Sequence, residues 1–458
     1  MKPWPNRPAA VVLAAWALST MIAGTADQQA WGVLHLAIDS GGANADEALR
    51  LLGTIDDAEA RTLIESSLKS GTPWAAAVAG GLTGSQCATY LPLLKRLAEN
   101  PSFEPKPPIL QSIAKARTPE AAAILREAAD ASGEPDAGAA FGLLESMGSV
   151  AVDALATEVR EGHSALKRET AVYSLPGSTV PGEVAAFREA LRDPDAGVRL
   201  AGALRLGQLG SAAGEAELTA AAEGNAPDAR REAAAALAAL GAPGAAGRLA
   251  KLLEEPNRAE RIRTIWTIAR IDGPRLKNFV YEKGLENEPD FRSMLAEKLL
   301  SPGELRDMAV LASMLSDNDE SVRLIAAGRL LSTSLADRAH TVVMHGLQSE
   351  SGTVRALALQ IASGSPSMEE ALSGFVASSD PVVQEAAIAA AGELRQRDKF
   401  SRLEPYLQSR VPAVAMAAAK ALLLIDAAAA RPILMRGLNS DLSYVRIDCA
   451  AVLLSRRF

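Results

Sequence analysis

"DPDAGVRLAGALRLGQLG" runs from Asp193 to Gly210. It opens on an acidic turn, sets an arginine at the start of a helix-forming stretch, continues with small and apolar residues at helical spacing, and closes on Leu-Gly, where a helix ends. The chain keeps returning to this pattern. Aligned on its arginine, the sequence gives Arg168, Arg199, Arg230, Arg261, Arg292 and Arg323, five successive steps of 31 residues. The register continues through Arg355, Gln384, Ala415 and Arg446 at steps of 32, 29, 31 and 31. Upstream, steps of 31 land on Ala137, Lys106 and Ala75, where the helical pattern persists without the arginine. Self-similarity at such a period is the mark of a repeat array.

Each unit divides into two helices. The first begins after a turn such as "RDPDAG" or "SDNDES", whose Asp and Ser side chains can cap free amides, and ends at Gly, Asp or Ser, as in "ERIRTIWTIARID" (Glu260–Asp272). The second follows within a few residues. In "GEVAAFREAL" (Gly182–Leu191), Val184, Phe187 and Leu191 fall on one stripe. A lone helix pair cannot bury that stripe, whereas stacked neighbours can. Composition agrees: 48% hydrophobic but 4% aromatic, with alanine filling the faces of closely stacked helices, and no alternating runs that would read as strands.

The 458-residue chain therefore reads as all-α, an α-solenoid of helical hairpins. Residues 1–26 are expected to be a signal peptide, 27–162 divergent helical repeats, and 163–458 the regular array. Roughly thirteen helix pairs at helix-packing distance would make a curved rod on the order of 100 Å along its contour.

The pattern resembles the HEAT-repeat family, in the short form named after the phycobilisome lyases, most clearly from about Glu161 to Phe458. The resemblance implies a right-handed, armadillo-like superhelix whose concave face is lined by the second helices. It also implies a polar ladder, in which an acidic residue before the first helix meets the arginine within it. The pairs would be Asp193 with Arg199, Glu255 with Arg261, Glu286 with Arg292, and Asp317 with Arg323, each six apart. Gly162, Gly224, Ser349 and Ser440 take the acidic place before Arg168, Arg230, Arg355 and Arg446, so the ladder is expected to break there. Loss of the arginine at Gln384 and Ala415 is expected to alter the curvature locally.

Charge and targeting narrow the function. The formal net charge is -8, which makes nucleic acid an unfavourable partner unless basic residues segregate onto one face. Lys2 and Arg7 precede the apolar run "PAAVVLAAWALSTMIAG" (Pro8–Gly24), and small residues follow in "GTA" (Gly24–Ala26). That is the three-part pattern of an export signal cleaved after Ala26, and the run is shorter than the roughly 20 residues that span a bilayer. A cleaved chain would be periplasmic or secreted, with no remaining membrane span. Cys87 and Cys449 should lie near opposite ends of an extended array as buried, unpaired thiols.

Chemistry is sparse. His35, His163, His340 and His345 are the only histidines, and the last two, five apart in "HTVVMH", point in different directions on a helix rather than forming a zinc pair. They read as surface or capping residues. "GGLTGSQC" (Gly80–Cys87) lacks the preceding strand and the Lys-Ser/Thr of a phosphate loop, and reads as an inter-helix turn. A catalytic pair of His35 and Cys87 is disfavoured on geometry. One basic and aromatic patch, "IARIDGPRLKNFVYEKG" (Ile268–Gly284), gathers Arg270, Arg275, Lys277, Tyr281 and Lys283 as candidate partner-binding residues around Phe279, against the plainer reading of a solvated helix face. The function expected is that of a non-catalytic exported scaffold or adaptor, without cofactor or metal, that holds a protein or peptide on its concave face. A bilin lyase and a nucleic-acid-binding protein are the alternatives the resemblance leaves open.

Overall fold

In the computed structural model, residues 25–131, 133–282 and 289–455 are described. Helices follow one another through short turns, and no strand occurs among the described residues. The chain forms two compact units, 1–116 together with 343–458, and 117–342. These packing boundaries differ from the boundary at 162/163, which marks where the arginine register begins.

The first unit starts with α1 (Ala26–Ser40) and α2 (Gly42–Leu51). Thr25 caps α1: its Oγ1 accepts the Gln28 N–H at 3.3 Å while Gln28 Oε1 accepts the Thr25 N–H at 2.8 Å. The expected processing point after Ala26 falls inside this cap, and the rest of the expected signal, residues 1–24, lies outside the described residues. "GGLTGSQC" spans the turn between the helices Trp74–Gly81 and Gly84–Thr89.

The second unit carries α3 (Glu134–Met147), α4 (Val152–Glu161), α5 (Ala165–Ser174), α6 (Pro181–Ala190), α7 (Ala196–Gln208), α8 (Glu215–Glu223), α9 (Pro227–Ala239), α10 (Arg258–Glu282) and α11 (Glu320–Leu330). The arginine-bearing helices α5, α7, α9 and α10 pack side by side in sequence order, and α4 packs on α6. By length and composition the stretch Ala137–Glu161 could cross a membrane, but it bends at Gly148 (φ 62°) between α3 and α4 and is 50% buried among its neighbours.

The first unit resumes with α12 (Pro381–Glu393), α13 (Pro412–Ile425), α14 (Ala427–Gly437) and α15 (Ser443–Leu454). Within this unit the helices do not pack only on their neighbours in sequence. Helix α15 packs against α1 and α2 as well as α13 and α14, so the two ends of the chain meet. Arg431 of α14 pairs with Asp27 at 2.7 Å, and Ser455 Oγ donates to Thr54 O at 2.9 Å. Cys87 and Cys449 thus belong to one unit rather than to opposite ends, and both are buried free thiols. The reason is compositional: nine of the 12 residues of α15 are buried, so the last helix has no polar face to turn to water.

The closing Leu-Gly of the repeat is a helix stop. Gly210 (φ 76°) and Gly241 (φ 72°) adopt the left-handed conformation after α7 and α9, and the Ser211 and Ala242 N–H groups donate to Leu206 O and Leu237 O, both at 2.9 Å. After α12 the same turn is made by Arg395 (φ 49°), with Gln396 N–H on Ala391 O at 3.1 Å. A β-carbon in that conformation is strained. Arg395→Gly is therefore expected to raise stability by about 0.5–1 kcal/mol in urea unfolding, the relief of strain exceeding the added chain entropy; a lower midpoint would show that the arginine side chain contributes more than its strain costs.

Candidate functional site

The repeated arginines do not pair with the carboxylate six residues before them. They reach back to the carbonyl of that residue. Arg199 Nη1 donates to Asp193 O at 3.0 Å, Arg261 to Glu255 O at 3.0 Å, and Arg323 to Asp317 O at 2.7 Å. Any residue supplies a carbonyl, so the links expected to fail persist: Arg168 to Gly162 O at 2.9 Å, Arg355 to Ser349 O at 2.8 Å, and Arg446 to Ser440 O at 2.6 Å. Even Gln384 keeps this half, donating to Ser378 O at 3.1 Å. Arg230 is the exception, its Nε buried without a partner among the described residues.

The carboxylate comes instead from the following repeat, 25 residues ahead. Arg168 grips Asp193 through Nε (2.7 Å) and Nη2 (2.9 Å), Arg292 grips Asp317 at 2.5 and 3.0 Å, and Arg355 reaches Asp380 at 2.6 Å. Arg199, lacking an acid at that place, takes Glu217 of α8 at 3.0 Å. Asp193 and Asp317 also accept the N–H of Asp195 and Asp319, and those two residues cap α7 and α11. Each D-x-D turn thereby binds the previous arginine with its first acid and starts its own helix with the second. Glu286 lies outside the described residues.

Electrostatics follow from this geometry. The Arg168 hydrogen bonds hold the Asp193 carboxyl below the usual aspartate range against burial, and Arg355 does the same for Asp380. For Asp317, burial pushes upward, but Arg292 and the Asp319 N–H more than offset it. The bidentate Arg168–Asp193 pair is only 15% and 7% exposed.

The basic patch resolves differently from its sequence reading. Lys277 is buried and bonded to Asp307 at 2.8 Å and Glu304 at 2.6 Å, a structural cation unavailable to a partner. Burial works against its ammonium, and the two carboxylates outweigh it, keeping its pKa above the ordinary lysine value. Arg270 is about half-exposed and pairs with Glu232 of α9. Lys283 and the side chains of Arg275, Phe279 and Tyr281 lie outside the described residues.

Helix α10 shapes the surface around Arg270. Its 25 residues continue through Asp272, Gly273 and Pro274, where the sequence predicts a stop. Pro274 has no N–H to offer the carbonyl four residues back, that of Arg270. Gln208 Nε2 of α7 donates to that carbonyl at 3.3 Å, while Gln208 Oε1 accepts from Arg205 at 3.2 Å. A side chain from another repeat fills the place the proline leaves empty.

Between α10 and the helices α3, α5 and α7 lies a cleft of about 830 Å³, lined by Phe141, Glu145, Tyr173, Arg205, Gln208 and Arg270. Arg270 also borders a second depression of about 620 Å³ over α9 and α10, with Trp266 in it. Trp266 is 48% exposed. These two hollows are lined by the first helices α3, α5, α7, α9 and α10. Arg205 is bound by the carbonyls of Val172, Tyr173 and Leu175, and burial lowers its pKa. Burial, reinforced by Glu232 and Glu169, pushes the Tyr173 hydroxyl up to about 12.

The other candidate groups are dispersed. His35 is buried and bonded to Glu59 at 2.7 Å, against a surface reading, while His163 is exposed and meets Asp130 at 2.8 Å. His345 is exposed and His340 partly so. Burial pushes the thiols of Cys87 and Cys449 up to about 11 and about 12, leaving no thiolate at neutral pH. No group of three His, Cys, Asp or Glu among the described residues is placed to hold a metal ion.

Residues 365–454, which include α12 to α15, match the family model described as HEAT repeats. Solved structures similar to the chain include human deoxyhypusine hydroxylase (20% identity, covering 62% of this chain and 98% of that one, TM-score 0.24) and importin beta (14%, 92% and 66%, TM-score 0.30). A chain of the full-length AP-3 complex is 12% identical, covering 97% of this chain and 89% of that one, at TM-score 0.37. No curated protein matches the sequence. In the matched segment the arginine links recur at Arg446 and, through its glutamine, at Gln384.

The linkage makes a contrast measurable. Arg168→Met strands the buried Asp193 carboxylate and is expected to cost on the order of 3 kcal/mol, whereas Arg192→Met, which breaks the exposed i,i+3 pair with Glu189, should cost under about 0.5 kcal/mol. The Asp193 contribution should be complete above the ordinary aspartate pKa of about 3.9 and lost as pH falls through its depressed value. Equal midpoints for the two variants in chemical unfolding at neutral pH would remove the link from the account of stability.

Proposed function

We propose that this chain is an exported, non-catalytic scaffold that holds a segment of a partner protein in the cleft between α10 and the helices α3, α5 and α7. The observation that carries the reading is the cleft itself: about 830 Å³, edged by two aromatics and two arginines, and followed across Arg270 by a hollow that presents a half-exposed tryptophan. Exposed aromatics beside arginine are the side chains that anchor protein interfaces. The absence of a thiolate and the dispersal of the described histidines favour binding over covalent chemistry. Export rests on the basic, apolar and small-residue order of residues 2–26 and on a net charge that becomes -10 once Lys2 and Arg7 are removed.

A photo-crosslinking amino acid placed at Trp266 is expected to capture a defined protein from the envelope fraction of cells that make the full chain, and one placed at the exposed Glu189 of α6 is not. Trp266→Ala should weaken that complex at least tenfold, as loss of a central aromatic anchor does. Equal capture at both positions, or a complex indifferent to Trp266→Ala, would place binding elsewhere. Fractionation of the same cells tests export, and retention of the full-length chain in the cytoplasm would refute it.

A further inference from the structure

The junction of the two chain ends contains a carboxyl that its surroundings cannot accommodate as an ion. Asp448 sits in the middle of α15, only 3% exposed, where the helix is enclosed by α1, α2, α13 and α14. It lies in the middle of its helix, away from the helix N-termini whose free N–H groups the capping aspartates accept. The charged groups acting on it are Glu47 of α2, of like sign, and Lys420 of α13, of opposite sign. From the other two elements, His35 of α1 is turned to Glu59 and Arg431 of α14 to Asp27. Burial among four helices disfavours the ionised carboxylate, and the like charge of Glu47, itself paired with Arg50 at 3.5 Å, adds to this, so the acid gives up its proton less readily while α15 is docked. We propose that the junction of the chain ends is a pH-operated latch, in which α15 holds α1 and α2 while Asp448 carries its proton and releases them as it ionises.

Burial, with Glu47 adding to it and Lys420 opposing, pushes the Asp448 carboxyl from 3.8 up to about 7. The docked state thus binds one more proton than the undocked state between those values. Docking is tightest below about pH 4, weakens as pH rises towards 7, and changes no further above it. The contacts at the rim, Arg431 with Asp27 and Ser455 with Thr54, involve partly exposed groups. The latch is independent of the cleft in the second unit and stands whether or not that cleft binds a partner.

Hydrogen exchange of the full chain, corrected for the intrinsic pH dependence of exchange, reads the latch directly. Between pH 5 and pH 7 the opening constant of the α1, α2 and α15 amides should rise about fiftyfold, nearly tenfold per pH unit at first and less steeply towards 7, with the amides of α7 and α9 as an internal reference. Asp448→Asn, which keeps the shape without the charge, should hold that constant within about twofold over the same range. Should Asp448→Asn fail to fold, Glu47→Gln provides the second arm: removing the like charge should shift the midpoint of the wild-type profile to lower pH. Protection that is independent of pH in the wild-type chain, a profile in Asp448→Asn identical to wild type, or a midpoint unmoved in Glu47→Gln would each overturn the latch.

Discussion

A guanidinium has donors on several edges, and this fold uses two of them for two tasks. One edge closes the turn before its own helix by bonding the carbonyl six residues back; the other crosses to the carboxylate of the next repeat. The backward bond needs only a backbone, so it tolerates Gly162, Ser349 and Ser440 in the place where an acid was expected. The forward bond needs an acid within reach, and where that is missing the arginine turns to another, as Arg199 does to Glu217. Fixing successive turns to one another sets how closely the first helices approach, and the small residues on their faces allow that approach.

The same stacking logic explains why the ends meet. In an open array the terminal hairpins need a polar outer side, because nothing covers them. Helix α15 has none, and the N-terminal α1 supplies the missing neighbour, burying Trp31, Leu34 and Ile38 of its own stripe. Enclosure from several sides is also what isolates Asp448 from water. A carboxyl that would be ordinary on the outer face of a final repeat becomes a group whose charge the packing opposes.

Helix α10 interrupts the hairpin rhythm and gives the second unit its cleft. Pro274 would normally end a helix, since it leaves the Arg270 carbonyl without a donor. Gln208 satisfies that carbonyl from two repeats away, so the helix can run on and wall off the space above α5 and α7. The cleft, the exposure of Trp266 and the position of Arg270 all follow from this one compensated break.

The period of 31 residues, the helical spacing behind each arginine and the capping Asp turns are local properties, and for that reason they were readable without coordinates: an all-α array of stacked hairpins, the buried thiols and the turn at Gly80–Cys87 all follow from spacing and composition. The apolar character of "SYVRIDCAAVLL" (Ser443–Leu454) also signals that most of this helix is covered, although not by what. Which edge of an arginine meets which acid, that Lys277 is buried while Trp266 is not, that a proline is carried through a helix, and that the first helix of the chain covers the last were decided by tertiary structure alone. Each depends on atoms from segments 25 to about 400 residues apart, and no local pattern encodes the distance between them.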